Sequence, residues 1–318
     1  MTQSQGATDS KKLTISSIVC TRNRGAAAVQ PVKSILETTG PDTELIVVDQ
    51  STNDETENAL AEFRSDPRLR YIRSTTVGLS ACRNVGIAAA KTDLIAITDD
   101  DVEVEPEWLP NFQEIFTKHP DVAIAFCGVR AAPYDTTAGF IPAYVRPQDA
   151  LVSTLREKCT ARGMGAGLCI RREVIQALGG FDEMLGAGSK LHACEDGDMC
   201  VRCIIKGYKA YESSATPVVH YGFRTWAEGK ALTTRDWYGI GAAYSKPLKM
   251  GYWGFAIIPA YEFTIRAVWP VVRQVLTLKK PSGVKRITCF IQGFFGGLKY
   301  KADPKTLLFI NPDAPKKS

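Results

Sequence analysis

Asp99, Asp100 and Asp101 stand in a row after the apolar run Leu94-Ile95-Ala96-Ile97-Thr98 and before the acidic turn Val102-Glu103-Val104-Glu105-Pro106. Adjacent carboxylates repel one another, so a protein keeps such a row at a strand end mainly where a cation or ligand needs it. Mg²⁺ and Mn²⁺ take oxygen ligands, commonly one or two carboxylates together with the oxygens of a phosphorylated substrate. Open α/β folds bind ligands at the carboxyl edge of the sheet. The row therefore points to a metal-nucleotide site on such an edge, although a solvated acidic turn would carry the same three residues.

A second constellation is Cys194-Glu195-Asp196-Gly197-Asp198-Met199-Cys200-Val201-Arg202-Cys203-Ile204. On a helix, Asp196 shares the face of Met199, Cys200 and Cys203, which should pack inward, so its carboxylate projects from the first turn toward a cleft. The helix dipole favours an ionised carboxylate there, the form a general base needs. Simple N-terminal capping would use the same acids. Asp198 and Arg202, four residues apart, read as a surface brace. His220 closes the run Pro217-Val218-Val219 and is either a metal ligand or a structural imidazole.

Elements that could bring these groups together alternate along the first 130 residues. Strands are expected at Leu13 to Cys20, Glu44 to Asp49, Arg68 to Ile72, Leu94 to Thr98 and Val122 to Phe126. Helices are expected at Ala26 to Glu37, Glu55 to Phe63, Ser80 to Lys91 and Trp108 to Lys118. Such alternation implies a mainly parallel sheet covered on both faces. Parallel strands then gather Thr21-Arg22-Asn23-Arg24, Asp49-Gln50-Ser51 and Asp99 to Asp101 on one edge, with Arg83 in the loop-and-helix segment before the acids. An acid there can accept from a base or ribose, and an arginine can face a diphosphate.

Residues 131 to 160, rich in Pro, Gly and Thr, read as a flexible connection. A strand at Gly165 to Arg171, helices at Arg172 to Leu178 and Glu195 to Lys206, and strand character from Tyr208 to His220 follow. Beyond Arg224 the chain turns helical. Tyr252 to Leu278 is apolar but broken by Glu262, Arg266 and Arg273, so it is expected to be amphipathic instead of spanning. With Ile287 to Leu298 and the basic stretch from Lys279 to Arg286, it suits either an anionic membrane surface or packing against protein. The organisation expected is a disordered leader (1–12), a main domain (13–224, with a nucleotide-binding half 13–130 and an acceptor-binding half 131–224) and a helical C-terminal region (225–318).

The 318 residues, 45% hydrophobic and 23% charged, can bury a sizeable core, and a net charge of +5 makes no case for nucleic acid. Nine cysteines in apolar segments argue for a reducing compartment and against a disulfide framework. Cys200-Val201-Arg202-Cys203 lies within a helical stripe, which disfavours zinc. A calcium loop from Asp99 would have Val104 at its obligatory glycine, and Gly163, Gly165 and Gly167 lack the dinucleotide spacing.

Taken in order, Thr21-Arg22-Asn23-Arg24, Val47-Val48-Asp49-Gln50-Ser51, Gly78-Leu79-Ser80-Ala81-Cys82-Arg83-Asn84, Asp99-Asp100-Asp101, Gly179-Gly180-Phe181-Asp182-Glu183 and Glu195-Asp196 resemble the family 2 inverting glycosyltransferases across residues 13 to 222. The resemblance implies a GT-A fold, that is, a Rossmann-like, mainly parallel mixed sheet with helices on both faces, here with a helical C-terminal extension. It also implies transfer from a nucleotide-diphosphate sugar, a UDP-sugar first, to a glycan, glycolipid or other hydroxyl acceptor with Mg²⁺ or Mn²⁺. By it, Asp49 would touch the base, Arg83 and Asp99 the ribose and base region, and Asp101, with Asp99 and His220, the metal. Thr21, Arg22, Asn23 and Asp100 would complete the donor site. Asp196 would be the base with Glu195 in support, and Gly165 and Asp182 would line the acceptor side. Gln50 departs from the pattern, since many relatives carry a second acid there. A cell-envelope polysaccharide role on the cytoplasmic face of the membrane, with peripheral contact through 252–298, would follow. A non-catalytic nucleotide-sugar binder or membrane scaffold of the same fold is the alternative.

Overall fold

A computed structural model describes residues 12–313. The expected leader therefore lies outside the described residues except for Lys12, as do Lys316 and Lys317. Strands β1 (Ile15–Thr21), β2 (Glu44–Asp49), β3 (Leu69–Arg73) and β4 (Leu94–Thr98) run parallel in the order β3-β2-β1-β4. Each strand alternates its apolar side chains between two layers, as period-two burial on both faces requires. Ile18, Ile46, Val48, Ile95 and Ile97 point to one side. Val19, Leu45, Val47, Leu94 and Ala96 point to the other.

Helices α1 (Val29–Thr38), α2 (Glu55–Ala59) and α3 (Leu79–Ala89) connect these strands. After β5 (Val102–Val104) come α4 (Trp108–Lys118), β6 (Val122–Phe126) and β7 (Val129–Ala131). The residues expected to form a flexible connection are instead structured. They hold β8 (Gly139–Phe140), β9 (Ala150–Val152) and α5 (Leu155–Lys158), begun by a capping box between Thr154 and Glu157. Then come β10 (Leu168–Arg171), α6 (Arg172–Ala177), α7 (Glu195–Ile205), β11 (Lys209–Glu212), β12 (Val218–His220) and β13 (Arg224–Thr225).

The main sheet has eight strands in the order β3-β2-β1-β4-β10-β6-β11-β9. β10 is antiparallel to both β4 and β6, so the sheet is mixed at its middle, and β11 runs parallel to β6. A smaller sheet, β5-β12-β7, lies beyond the acidic row and sets His220 opposite Val102. Helices α1 and α4 cover one face with Val32, Ile35, Phe112 and Phe116. Helices α3, α6 and α7 cover the other with Ile87, Val174, Ile175 and Met199. Cys200 and Cys203 belong to that second layer, and burial pushes the Cys200 thiol up to about 11, which suits core packing instead of metal binding.

The C-terminal region is built on α8 (Trp226–Lys249), α9 (Ile257–Tyr261), α10 (Trp269–Leu276) and α11 (Val284–Leu298). Helix α11 lies against α8 at a separation only glycine allows. A Cβ on Gly293 would stand 1.9 Å from the Tyr238 carbonyl oxygen, and one on Gly241 would stand 2.2 Å from that of Phe290. A π-helical stretch, Glu262–Val268, joins α9 to α10. The segment expected to be an amphipathic helix or pair of helices is helical through its charged residues Glu262, Arg266 and Arg273. Trp253–Leu276 runs on for 24 residues with a mean hydropathy of 1.3, long and apolar enough by length and composition to cross a membrane. Glu262 and Arg266 are absorbed because they face a protein cavity, where Arg266 Nη1 donates to Glu262 Oε1 at 2.7 Å.

Candidate functional site

The carboxyl ends of β1, β2 and β4 open into a cavity of about 610 Å³. Thr21, Arg22, Arg24, Gln50, Gly78, Asp99, Asp100, Asp101 and His220 are among its lining residues. One potential ligand atom from each of Asp99, Asp101 and His220 lies within 4.8 Å of the other two. Two carboxylates and an imidazole make a donor set that suits Mn²⁺ or Mg²⁺ when phosphate oxygens or water complete the shell. The fit is strengthened by Thr21, whose Oγ1 is buried beside the same cavity without a partner among the described residues.

Arg24, Arg224 and His220 hold the acids together. His220 Nε2 is 3.0 Å from Asp101 Oδ1, and His220 Nδ1 is 2.8 Å from the Pro142 carbonyl oxygen. Arg24 Nη2 donates to Asp101 Oδ2 at 2.7 Å, its Nε donates to Asp100 Oδ1 at 2.9 Å, and Arg224 approaches Asp101 at 3.5 Å. Burial would raise the Asp101 carboxyl, but the hydrogen bond and charge of His220, then Arg24, hold it down at about 2. Burial would lower the His220 imidazole, and Asp101 more than reverses this. Asp99 is pushed up by burial, with Asp101 adding repulsion against the pull of Arg83.

Arg83 does not reach the cavity surface. It projects from α3 and is 1% exposed; Nη1 donates to Glu195 Oε1 at 3.0 Å and Nη2 to Asp99 Oδ1 at 3.3 Å. Gly165 permits this placement, because a Cβ there would meet Arg83 Nη2 at 2.7 Å. Gly165 thus packs against the arginine. Met164 and Gly163 beside it are the residues that face the cavities.

Three further expectations land elsewhere. Asp49 is fully buried; its Oδ1 accepts from Ser51 N at 2.7 Å and from the Ser51 hydroxyl, and its Oδ2 from Tyr71 Oη at 2.6 Å. It braces the strand end, and the next residue, Gln50, lines the cavity, with Nε2 donating to Thr76 Oγ1 at 2.8 Å. Asn23 turns to the neighbouring loop, where its Oδ1 accepts from Thr52 N at 2.8 Å. Asp182 is 1% exposed, and its Oδ2 accepts from Lys246 Nζ at 2.6 Å and from Phe309 N at 2.8 Å. The supposed surface brace between Asp198 and Arg202 is likewise interior. Arg202 Nε donates to Asp198 Oδ2 at 2.8 Å, and Lys246 Nζ lies 2.8 Å from Asp198 Oδ1. Helix α8 covers that face of α7, which an i,i+4 spacing alone does not disclose.

A second cavity of about 600 Å³ adjoins the first, and Pro142, Met164 and Asp236 line both. Glu195 and Asp196 line it from the first turn of α7. Cys194 takes a left-handed backbone with φ of 74° to turn the chain into that helix, a conformation that costs a non-glycine residue on the order of 1 kcal/mol or more. Asp196 Oδ1 accepts from Gly197 N at 2.7 Å. Burial, then the charge of Asp196, raise the Glu195 carboxyl despite Arg83. Two adjacent acids thus have unlike surroundings, one tied to a buried arginine and the other open to the cavity.

Residues outside the expected set also form the walls. The Ala187-Gly188 turn closes over Gly78, with Leu79 N donating to Ala187 O at 2.8 Å. Asp236 comes from α8, where no motif marks it. Arg24 and Gln50 belonged to the strand-end motifs and were legible there as candidates.

Residues 16–168 match the family described as Glycosyl transferase family 2. Over 203 residues the chain is 25% identical to the glucosyl-dolichyl phosphate glucuronosyltransferase of Haloferax volcanii, covering 59% of this chain and 62% of that one. The chain spans 12% and 62% of the lengths of the first two curated relatives it matches. In fold it is similar to the mannosyltransferase PcManGT from Pyrobaculum calidifontis in complex with GDP-Man and Mn²⁺, with TM-score 0.60 and 19% identity over 91% of this chain and 88% of that one. It is also similar to S. aureus TarS 1-349 in complex with UDP-GlcNAc, with TM-score 0.61 and 16% identity over 89% and 82% of the two chains.

Proposed function

Because residues 16–168 form a glycosyl transferase family 2 domain, we propose that the chain moves a sugar from a nucleotide-diphosphate donor to a hydroxyl acceptor with inversion at the anomeric carbon. One observation carries this reading. The acids at the sheet edge and the acids at the start of α7 line adjoining cavities with a shared wall at Pro142, Met164 and Asp236. A donor anchored at one end can therefore present its sugar to a base at the other.

In this reading Asp99, Asp101 and His220 would hold a divalent cation, which would supply charge to offset that developing on the departing diphosphate. Thr21, Arg22, Gln50 and Asp100 line the donor cavity, with Asn23 and Asp49 stiffening its loops from behind. Arg24 and Arg224, now spent on Asp100 and Asp101, lie within reach of a diphosphate and would add charge-assisted hydrogen bonds. Asp196 takes the proton of the acceptor hydroxyl as that oxygen attacks the anomeric carbon. The bond to the diphosphate breaks on the opposite side, so a single displacement inverts the centre and needs no second carboxylate nucleophile. Glu195, held by Arg83, fixes the first turn of α7 beside it.

The division at residues 13–130, 131–224 and 225–318 assigns donor binding to the first part and the acceptor base to the second. The helical region closes the acceptor side, since Asp236, Glu262 and Arg266 line its cavity. GDP-Man and UDP-GlcNAc are donors bound by structural neighbours, and Gln50 in place of an acid leaves both nucleotides as candidates, with the UDP-sugar placed first. The acceptor is a glycan or lipid-linked hydroxyl. Exposed Trp269, Leu276 and Leu278 beside Lys279 and Lys280 favour peripheral contact with the cytoplasmic face of a membrane. Thermal unfolding with UDP and GDP, each with and without Mn²⁺, tests the donor assignment. One nucleotide should raise the midpoint only together with the metal, and no shift with either would overturn the reading.

A further inference from the structure

Helix α8 runs beside both cavities, and it does so with one row of side chains. Leu232 lines the donor cavity, Asp236 lines both, and Ile240 and Tyr244 line the acceptor cavity. These four stand at intervals of four residues, the spacing that puts side chains on one helix face. The helix is held in place from both ends. A capping box between Thr225 and Glu228 starts it. Near its end Lys246 Nζ lies 2.8 Å from Asp198 Oδ1 of α7, the helix that also carries Asp196.

A transferred sugar has to lie where the two cavities join, between a diphosphate at the acidic row and a base at Asp196. Pro142, Met164 and Asp236 line both cavities there. The Pro142 carbonyl oxygen is already 2.8 Å from His220 Nδ1. The Met164 side chain is apolar, and its carbonyl oxygen accepts from Gly167 N at 3.0 Å. Asp236 is exposed and has neither hydrogen bond nor ion pair among the described residues, so only the charges of Arg235 and Asp196 act on it. An ionised carboxylate offers two acceptor oxygens and no donor. It therefore takes sugar hydroxyls and repels a second carboxylate in the same place.

Resting on the transfer reading above, we propose that Asp236 selects the transferred sugar. Its carboxylate accepts from hydroxyls of an uncharged hexosyl group, and Asp236 and Asp196 together turn away a donor that carries a uronic acid. Asp236 is then a specificity-determining residue supplied from outside residues 16–168. The sheet edge holds the diphosphate, and the helical region chooses the sugar.

Calorimetry on the full chain with Mn²⁺ tests this through the affinity of each nucleotide sugar relative to its bare nucleotide. UDP-glucose, UDP-galactose and UDP-N-acetylglucosamine are the neutral probes and UDP-glucuronate the charged one, all against UDP. A preference for GDP in thermal unfolding changes the set to GDP-mannose and GDP-mannuronate against GDP. The wild type should bind a neutral donor at least about tenfold more tightly than the charged one. Asp236→Ala should weaken that neutral donor about tenfold relative to the bare nucleotide. Asp236→Asn should recover part of the loss and narrow the gap to the charged donor, since an amide can donate as well as accept. Asp236 is exposed and unpaired, so both variants should melt with the wild type. An unchanged ratio in Asp236→Ala, including one where sugar nucleotide and bare nucleotide weaken together, would overturn the proposal. So would equally tight binding of the charged donor by the wild type. If the bare nucleotide binds and the ratio does not move, only this inference fails; if neither UDP nor GDP binds, the transfer reading falls with it.

Discussion

Arg83 Nη1 donates to Glu195 Oε1 at 3.0 Å although the two residues are 112 positions apart in the chain. The other terminal nitrogen reaches Asp99 at 3.3 Å, so one buried guanidinium ties the acidic row after β4 to the first turn of α7. A planar fork can hold two carboxylates at fixed angles, and a lysine ammonium cannot. Arg83→Lys should stay folded and lose about a hundredfold in turnover, because displacement of reacting groups by about 1 Å costs that much. Donor KM should move far less. Steady-state kinetics decide it, and unchanged turnover would mean the link does not set the geometry.

The pair of His220 and Asp101 makes a pH prediction with a definite sign. The folded His220 value is raised above the ordinary 6.5. Its contribution to stability is therefore complete below about 6.5 and is lost as pH climbs through the raised folded value. Asp101 acts in the opposite sense, since its folded value of about 2 lies below the ordinary 3.8. Its contribution is present above 3.8 and is lost as pH falls toward 2. The chain has three histidines, so an NMR titration of the metal-free protein can resolve His220. It should titrate above 6.5. Asp101→Asn should lower it, because the largest effect opposing burial is then removed and only Pro142 and Asp99 still hold it up. A wild-type midpoint below 6.5 would contradict the pairing.

Much of this arrangement was legible from residue order. Strands β2, β4 and β6 and helix α4 fall where alternation and apolar period put them, because local sequence decides them. The acidic row and the loops after β1 and β2 could be named as neighbours because parallel strands bring their ends together, whereas His220, on β12 antiparallel to β5 in the smaller sheet, was placed there only by the family resemblance. Aspartates 49, 182 and 198 could not be placed, since an acid in a motif looks alike whether it meets a ligand or a buried cation. Asp182 and Asp198 are decided by Lys246, which arrives from α8 with its side chain fully buried. Nothing local to either acid announces it. The same long-range packing hid Asp236, and it turned residues 131–160 from an expected connection into edge strands.

Membrane contact has its own test. Trp269, Leu276 and Leu278 are 51%, 70% and 96% exposed on one helix and its end. Removing the whole region from 252 would strip α11 from α8 and Phe309 from Asp182, so point changes are the cleaner probe. Replacing all three by serine should lower partitioning into anionic vesicles at least about tenfold, since each loses buried apolar area worth roughly 1 kcal/mol or more. Raising salt should weaken the wild type further, because Lys279, Lys280, Lys285 and Arg286 add screened attraction. Co-sedimentation that is insensitive to both changes would exclude a surface-bound helix.

Asp196 carries the chemical step in this account, and an amide tests it without changing shape. The carboxylate lines the acceptor cavity, and its Oδ1 accepts from Gly197 N at 2.7 Å. Asparagine can keep that hydrogen bond through its carbonyl oxygen but cannot take a proton from the acceptor. Asp196→Asn should therefore bind nucleotide and metal as the wild type does and lose transfer by about 10²-fold or more, the usual contribution of a positioned base. Glu195→Gln should cost less in chemistry and more in stability, because it removes the charge that balances buried Arg83. Single-turnover transfer measured beside equilibrium nucleotide binding separates the two roles. Undiminished transfer by Asp196→Asn would take the base away from α7 altogether and leave Asp236, which lines both cavities, as the carboxylate to examine.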